Sequence, residues 1–220
     1  MIACRAGRVI RPELLDHATP QEARQNLREI VFLNRYFGGH DILRRSLAAV
    51  ASPDEPFTFL DIGAASGDMA QAAAQAFPLM RPINVDLHAL HLERASGGRA
   101  VADAFRLPFR DCALDIAHCS LFLHHFTNNQ VVDLLREMYR VARRAVLVQD
   151  LERHPLAYYF VPATRWLFGW SAIVRHDAPV SVEAAFEREE LDALAAEAGL
   201  SNASVRRHRP AFRLSLVARR

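Results

Sequence analysis

The chain contains no lysine; all 27 of its Lys and Arg residues are arginine. Schiff-base chemistry on a lysine amine is therefore excluded, and so is a lysine anchor for a phosphate. Cysteine is scarce. Cys4, Cys112 and Cys119 stand in no Cys-x-x-Cys or disulfide-like spacing, so they are expected to be unpaired, as suits a reducing compartment. No apolar run approaches the roughly 20 residues of a membrane span, and the first residues lack the apolar core of a signal peptide. The expectation is a cytoplasmic chain without stable membrane insertion. A net charge of +2 is too small to imply a nucleic-acid partner. Arg206, Arg207, Arg209 and Arg213 cluster near the carboxyl end, but arginines alternating with apolar residues mark a solvated strand face. What the chain does have is apolar content, 51% of 220 residues, enough for one substantial core and a single domain over residues 1–220.

The most informative stretch is Phe57-Thr58-Phe59-Leu60-Asp61-Ile62-Gly63-Ala64-Ala65-Ser66-Gly67, an apolar run, an acid, a turn bracketed by glycines, then helix formers from Asp68. It reads as strand, loop and helix of a nucleotide-type α/β site, where Gly63 and Gly67 supply positive φ and a bare surface for a ligand. Carboxylates at Asp61 and Asp68 would repel a pyrophosphate on this loop, which argues against a nicotinamide dinucleotide and for a ligand with a positive group. A second acid, Asp86, ends the run Ile83-Asn84-Val85, 25 residues after Asp61 (86 − 61). That is one βα unit plus a strand, and an acid at this tip can accept from a ribose diol, or cap a helix over Leu87–Glu93. A third strand around Ala100–Ala102 ends in Asp103-Ala104-Phe105, and a fourth, Leu114–Cys119, runs into Ser120-Leu121-Phe122-Leu123-His124-His125-Phe126.

These segments resemble the class I S-adenosylmethionine-dependent methyltransferases, in particular the UbiE-like or type 11 small-molecule branch. The family's acid-x-Gly-x-Gly-x-Gly motif is matched by Asp61, Gly63 and Gly67, with Ala65 in place of the middle glycine. The resemblance extends to the Leu107-Pro108-Phe109 tripeptide and to Asp115, His124 and His125 of the Leu-His-His segment. It implies a seven-stranded Rossmann-like doubly wound sheet with an antiparallel last strand and an N-terminal helical lid. It also implies S-adenosyl-L-methionine as cofactor, with S-adenosyl-L-homocysteine as product. Asp61, Gly63, Ala65, Gly67, Asp86, Leu87, Asp103, Ala104, Cys119 and Ser120 are the implied cofactor-binding residues. The Asn/Asp-Pro-Pro-aromatic turn of nucleic-acid amino-methyltransferases and the Pro-Cys of cytosine C5 enzymes are absent.

The remaining segments are read around that core. Thr19-Pro20-Gln21-Glu22 is a capping box that starts a helix stopped by Gly38-Gly39, and a second helix spans Asp41–Val50. The resemblance implies that residues 1–52 form a lid over the cofactor, bringing Arg35 towards the methionine carboxylate and an aromatic ring, Tyr36, towards the sulfonium; the other reading is packing onto the core. Residues 57–150 are the cofactor half and 151–220 the acceptor half. The aromatic stretch from Tyr158 to Trp170 supplies a pocket wall for an aromatic or apolar small-molecule acceptor, or a core helix, and Val174–Ser181 is a polar loop. The segments "LNRYFGGH", "LHHF" and "RHDAPVSVEAAF" look like small bacterial methyltransferases of polyketide, resorcinol or quinone-type products. O-methylation of a phenolic acceptor is favoured over C-methylation of an electron-rich ring, with a non-catalytic cofactor-binding subunit as the other reading. The general base is sought first at His124 or His125, then at His176 with Asp177, then at Glu152. No metal is expected, because neither His124/His125 nor His88/His91 follows a closed-site spacing.

Overall fold

The computed structural model describes residues 7–220, without the side chain of Asp16, so Cys4 lies outside the described residues. Seven strands form one sheet: β1 Phe57–Ile62, β2 Met80–Asp86, β3 Gly98–Val101, β4 Leu114–Ser120, β5 Ala142–Leu151, β6 Ala203–His208 and β7 Arg213–Arg219. Their order is β3-β2-β1-β4-β5-β7-β6, with β7 antiparallel to both neighbours and the other pairs parallel. Central strands are covered on both faces, which is why β1 is buried at every position but Thr58 and shows no alternation. Leu43, Leu47, Phe59, Ile116 and Leu147 pack on one face under helices α2 (Gly39–Ala48) and α3 (Asp68–Ala76). Leu60, Ile62, Ala117, Val146 and Leu216 pack on the other under α4 (Asn128–Val141) and α7 (Arg188–Glu197). The order in which strands are laid down reverses between the parallel β1 and β4, and a crevice opens there at the carboxyl ends of the strands.

The first helix, α1 (Pro20–Tyr36), starts on the capping box: Thr19 accepts from the Glu22 amide, and Glu22 reaches back to Thr19. Gly38, at φ 84, breaks it. Gly39 allows the tight return, since a Cβ there would sit 2.8 Å from the Asn34 backbone. Among the described residues no helix is long and apolar enough to cross a membrane.

Three local expectations need correction. Leu87–Glu93 is not a helix: Asp86 accepts from the His88 amide and from His91 Nδ1, and this local side-chain competition leaves a turn and a short 3-10 helix, His91–Arg94. Val174–Ser181 is not a polar loop but the body of α6 (Ala172–Ala184), capped by Ser171 and carrying Pro179 inside. Its buried stripe of Ile173, Val174, Asp177, Val180 and Ser181 has helical period, but two of those residues are polar. Asp177 is engaged by the Leu14 and Leu15 amides, whose 3-10 turn it caps. The aromatic stretch is α5 (Pro155–Phe168), and only part of it faces inward, because Trp166 is 85% exposed.

Candidate active site

A cavity of about 950 Å³ occupies the crevice and extends from the loop after β1 to the turn between β6 and β7. Its first half is built on backbone constraints. Gly63 has φ 64, and a Cβ on it would lie 2.5 Å from the Phe122 ring, so the glycine is demanded by an aromatic neighbour across the strand ends as well as by the turn. Ala65 keeps the left-handed conformation of the glycine it replaces, at φ 49, and its amide donates to Asp86 Oδ2 at 3.0 Å. Asp86 Oδ1 takes the His88 amide and His91 Nδ1 at 2.9 and 3.1 Å. Burial opposes ionisation of Asp86, but these hydrogen bonds outweigh it and its pKa is lowered.

Asp61 is buried with Oδ1 2.8 Å from His118 Nδ1, while Oδ2 has no partner among the described residues. Burial raises its pKa, with His118 acting in the opposite direction. Asp68, at the start of α3, is held by Asn34 Nδ2 and His40 Nε2, each 3.0 Å from Oδ2. Asp61, Asp68 and Asn34 all line the cavity, giving this end an acidic character suited to a cationic group.

In the second half the cavity-lining His124 is paired with Asp150, which is buried behind it at the carboxyl end of β5. His124 Nδ1 lies 2.7 Å from Asp150 Oδ1, and the His124 amide donates to Asp150 Oδ2. Asp150 is 0% exposed and also accepts from the Leu151 amide. Burial alone would lower the His124 pKa, but Asp150 and Glu13 reverse the sign and raise it; the Asp150 pKa is lowered in turn, burial being outweighed by the His124 cation. His125 behaves oppositely. It opens onto the cavity, yet protein surrounds it, and that desolvation with the adjacent His124 pushes its pKa down to about 3. Glu13, His124 and His125 bring ligand-type atoms within 4.8 Å of one another, a grouping that sequence spacing could not show. Ser181 Oγ donates to Glu13, and Asp150 occupies His124 Nδ1.

The cavity brings together Asp61, Gly63, Ala65, Asp86, Leu87, Asp103, Ala104, Ser120, His124 and His125 of the residues expected from sequence. It does not include six others. Gly67 caps α3 behind the loop, where a Cβ would meet Ala95 at 2.8 Å. Cys119 is sealed in the core on the α4 side, and burial pushes its thiol pKa up. Arg35 and Tyr36 fall on the outer side of α1, exposed and with the guanidinium over the ring at 5.5 Å; helical register turns Asn34 and Phe37 inward instead. His176 is on α6 outside the cavity, bonded to Asp177 at 2.7 Å. Glu152 is likewise engaged elsewhere, by Arg207 and Arg209. From the aromatic stretch only Ala157, Phe160 and Val161 reach the cavity.

Sequence reasoning missed Phe122, Asn34, Asp150 and Arg213. Asp150 had a usable signal, an acid at the tip of an apolar strand like Asp61 and Asp86 before it. Arg213 had none, because its arginine neighbours face solvent and only the sheet order places β7 between two strands.

A model of the family described as "Methyltransferase domain" matches residues 60–148. No curated protein matches the sequence. Among solved structures, the plantazolicin methyltransferase BpumL in complex with S-adenosylhomocysteine is 12% identical, with 90% of this chain and 89% of that one covered and a TM-score of 0.67. The mitomycin 7-O-methyltransferase MmcR is 19% identical over 94% of this chain, with a TM-score of 0.63. A candidate O-methyltransferase from Nostoc punctiforme PCC 73102 is 20% identical over 83% of this chain, with a TM-score of 0.61. The chain spans 60% of the length of MmcR and 56% of the Nostoc protein. These likenesses show the fold, and residues 60–148 match the methyltransferase-domain family.

Proposed function

We propose that the chain transfers the methyl group to an oxygen of a small aromatic or apolar acceptor of the phenolic, polyketide or quinone type. The observation that carries this reading is His124, which lines the cavity and is held at 2.7 Å by Asp150, buried behind it on β5, one strand beyond β4. Two similar structures carry O-methyltransferase in their names, MmcR and the Nostoc protein, which supports oxygen as the atom methylated.

The residues present fit the cofactor. Asp61 Oδ2 is a buried acceptor without a partner, suited to the ammonium of the methionine part. Asp86 Oδ2 has room for a ribose hydroxyl beside the Ala65 amide, and Asp103, Ala104 and Phe105 form the wall for the adenine. When bound, S-adenosylmethionine supplies a methyl group on a sulfonium that leaves with the electron pair of its carbon–sulfur bond. The protein's own tasks are alignment and proton removal. Phe122, Phe126, Phe160 and Phe212 give the acceptor an apolar enclosure that excludes water. His124 Nε2, 3.9 Å from Glu13 Oε1, takes the hydroxyl proton as the oxygen gains the methyl carbon, and Asp150 fixes the tautomer with the lone pair on Nε2 and stabilises the resulting imidazolium. His125, held neutral by its low pKa, is too weak a base for that step.

The test is transfer from isotope-labelled S-adenosylmethionine to a panel of phenols, resorcinols and quinols, with the methylated atom assigned by NMR. We expect an O-methyl product, and His124→Gln should lower kcat by about 100-fold or more with cofactor affinity unchanged. A ring-carbon product replaces the O-methyl reading, and full turnover in the variant removes His124 as base.

A further inference from the structure

Arg213 opens β7 at the carboxyl-end side of the sheet, paired with Leu151 of β5. It is 3% exposed and lines the cavity, yet among the described residues its guanidinium makes no hydrogen bond or ion pair, and Nη1 is a buried donor without an acceptor. The contrast with Arg153 is direct: that side chain is also largely covered, and it is forked onto both oxygens of Glu190 at 2.8 and 2.9 Å. The acids closest in effect to Arg213 are already committed, Asp150 to His124 and the Leu151 amide, Asp68 to Asn34 and His40. Burial lowers the Arg213 pKa to about 10, so the group is a cation at neutral pH. An unpaired buried charge is strongly destabilising, and a planar guanidinium is shaped to take a carboxylate through two parallel hydrogen bonds.

We propose that Arg213 binds a carboxylate carried by the methyl acceptor, so that the acceptor is an aromatic or apolar acid and not a neutral phenol. This rests on the methyl-transfer reading above. A carboxylate could also come from the methionine part of the cofactor, whose end of the cavity holds Asp68, an acid that acts on the Arg213 charge; the binding experiment below separates the two sources, and strand spacing favours the acceptor. The cofactor loop follows β1, and three strand steps, β1 to β4 to β5 to β7, separate it from Arg213, about 14 Å at the usual strand spacing. The ribose acid Asp86 is one strand further away. Arg213 instead shares the β5–β7 end of the cavity with Leu151, Phe160 and Phe212, where the acceptor lies.

The experiment is calorimetry on protein saturated with S-adenosylhomocysteine, using 3-hydroxy-2-naphthoate against 3-hydroxy-2-naphthamide and benzoate against benzamide, on wild type and Arg213→Met. We expect each acid to bind wild type at least about tenfold more tightly than its amide, and the variant to bring that ratio to about one. The variant should keep its affinity for S-adenosylhomocysteine within about twofold. Its ligand-free melting temperature should be equal or higher, because an unpaired buried charge has been replaced by an apolar side chain of similar length. If the variant does not fold, Arg213 is structural and the proposal is wrong. Acid-to-amide ratios near one in wild type also overturn it. A variant that loses tenfold or more in S-adenosylhomocysteine affinity while keeping the acid preference assigns Arg213 to the cofactor's carboxylate instead. Because these are binding measurements, they separate failure of this proposal from failure of methyl transfer itself, which the labelled-cofactor assay reads.

Discussion

Asp86→Ala is the substitution whose effect the structure constrains most tightly. A carboxylate offers about four acceptor sites. Three are taken inside the protein: Oδ1 by the His88 amide and His91 Nδ1, and Oδ2 by the Ala65 amide. One site on Oδ2 is left, so Asp86 can receive one ribose hydroxyl at full strength and not the two that an unencumbered carboxylate would take. Losing one hydrogen bond to a charged acceptor costs about 1.5–3 kcal/mol. The dissociation constant for S-adenosylhomocysteine should therefore rise about 10- to 150-fold. Isothermal calorimetry at pH 7 reads it directly. The lowered Asp86 pKa keeps the group ionised there; its contribution is present above the unfolded value of 3.8 and is lost only as pH falls through the folded pKa. His91→Ala is the control, since it returns an acceptor site on Oδ1 and should leave affinity within about threefold or tighten it. An Asp86→Ala protein that folds and binds with unchanged affinity would refute the ribose assignment.

Three further outcomes are expected. Gly63→Ala should lower the melting temperature, because φ 64 costs an L side chain about 1–2 kcal/mol and the new Cβ meets the Phe122 ring; Phe122→Ala in the same chain should recover the overpacking part, and equal losses in both backgrounds would remove Phe122 as the reason for the glycine. The kcat/KM profile should rise with pH through one ionisation above 6.5, because the raised His124 pKa keeps Nε2 protonated at lower pH; in Asp150→Asn burial dominates, so the rise should move to lower pH and the plateau should fall, whereas an unmoved profile would separate the pair from the chemistry. Hydrogen exchange should slow across residues 30–37 on saturation with S-adenosylhomocysteine, because the inner face of α1 reaches the cavity through Ile30, Asn34 and Phe37; no change there would make α1 a fixed wall.

The sequence by itself determined the parts of this protein whose causes are local in the chain. Apolar run, acid and glycine-bracketed turn placed β1, the loop and α3, because strand burial and positive φ are requirements of consecutive residues. The Thr19 box started α1, since a cap acts within three residues. The seven-stranded doubly wound sheet with its antiparallel last strand followed from the family resemblance, and the structure supplied the strand order. Tertiary structure decided whatever depends on which residues meet from distant segments. Local pattern did not show that Asp150 would orient His124, that the Phe122 ring would lie against Gly63, or that α1 would turn Asn34 inward and Arg35 outward. It misjudged the four carboxyl-terminal arginines as one solvated face, and Arg213 is the exception, because β7 lies between β5 and β6 and both of its faces are covered. Burial is a property of the assembled sheet, and burial sets the charge state and hydrogen-bonding needs of Asp61, His124 and Arg213.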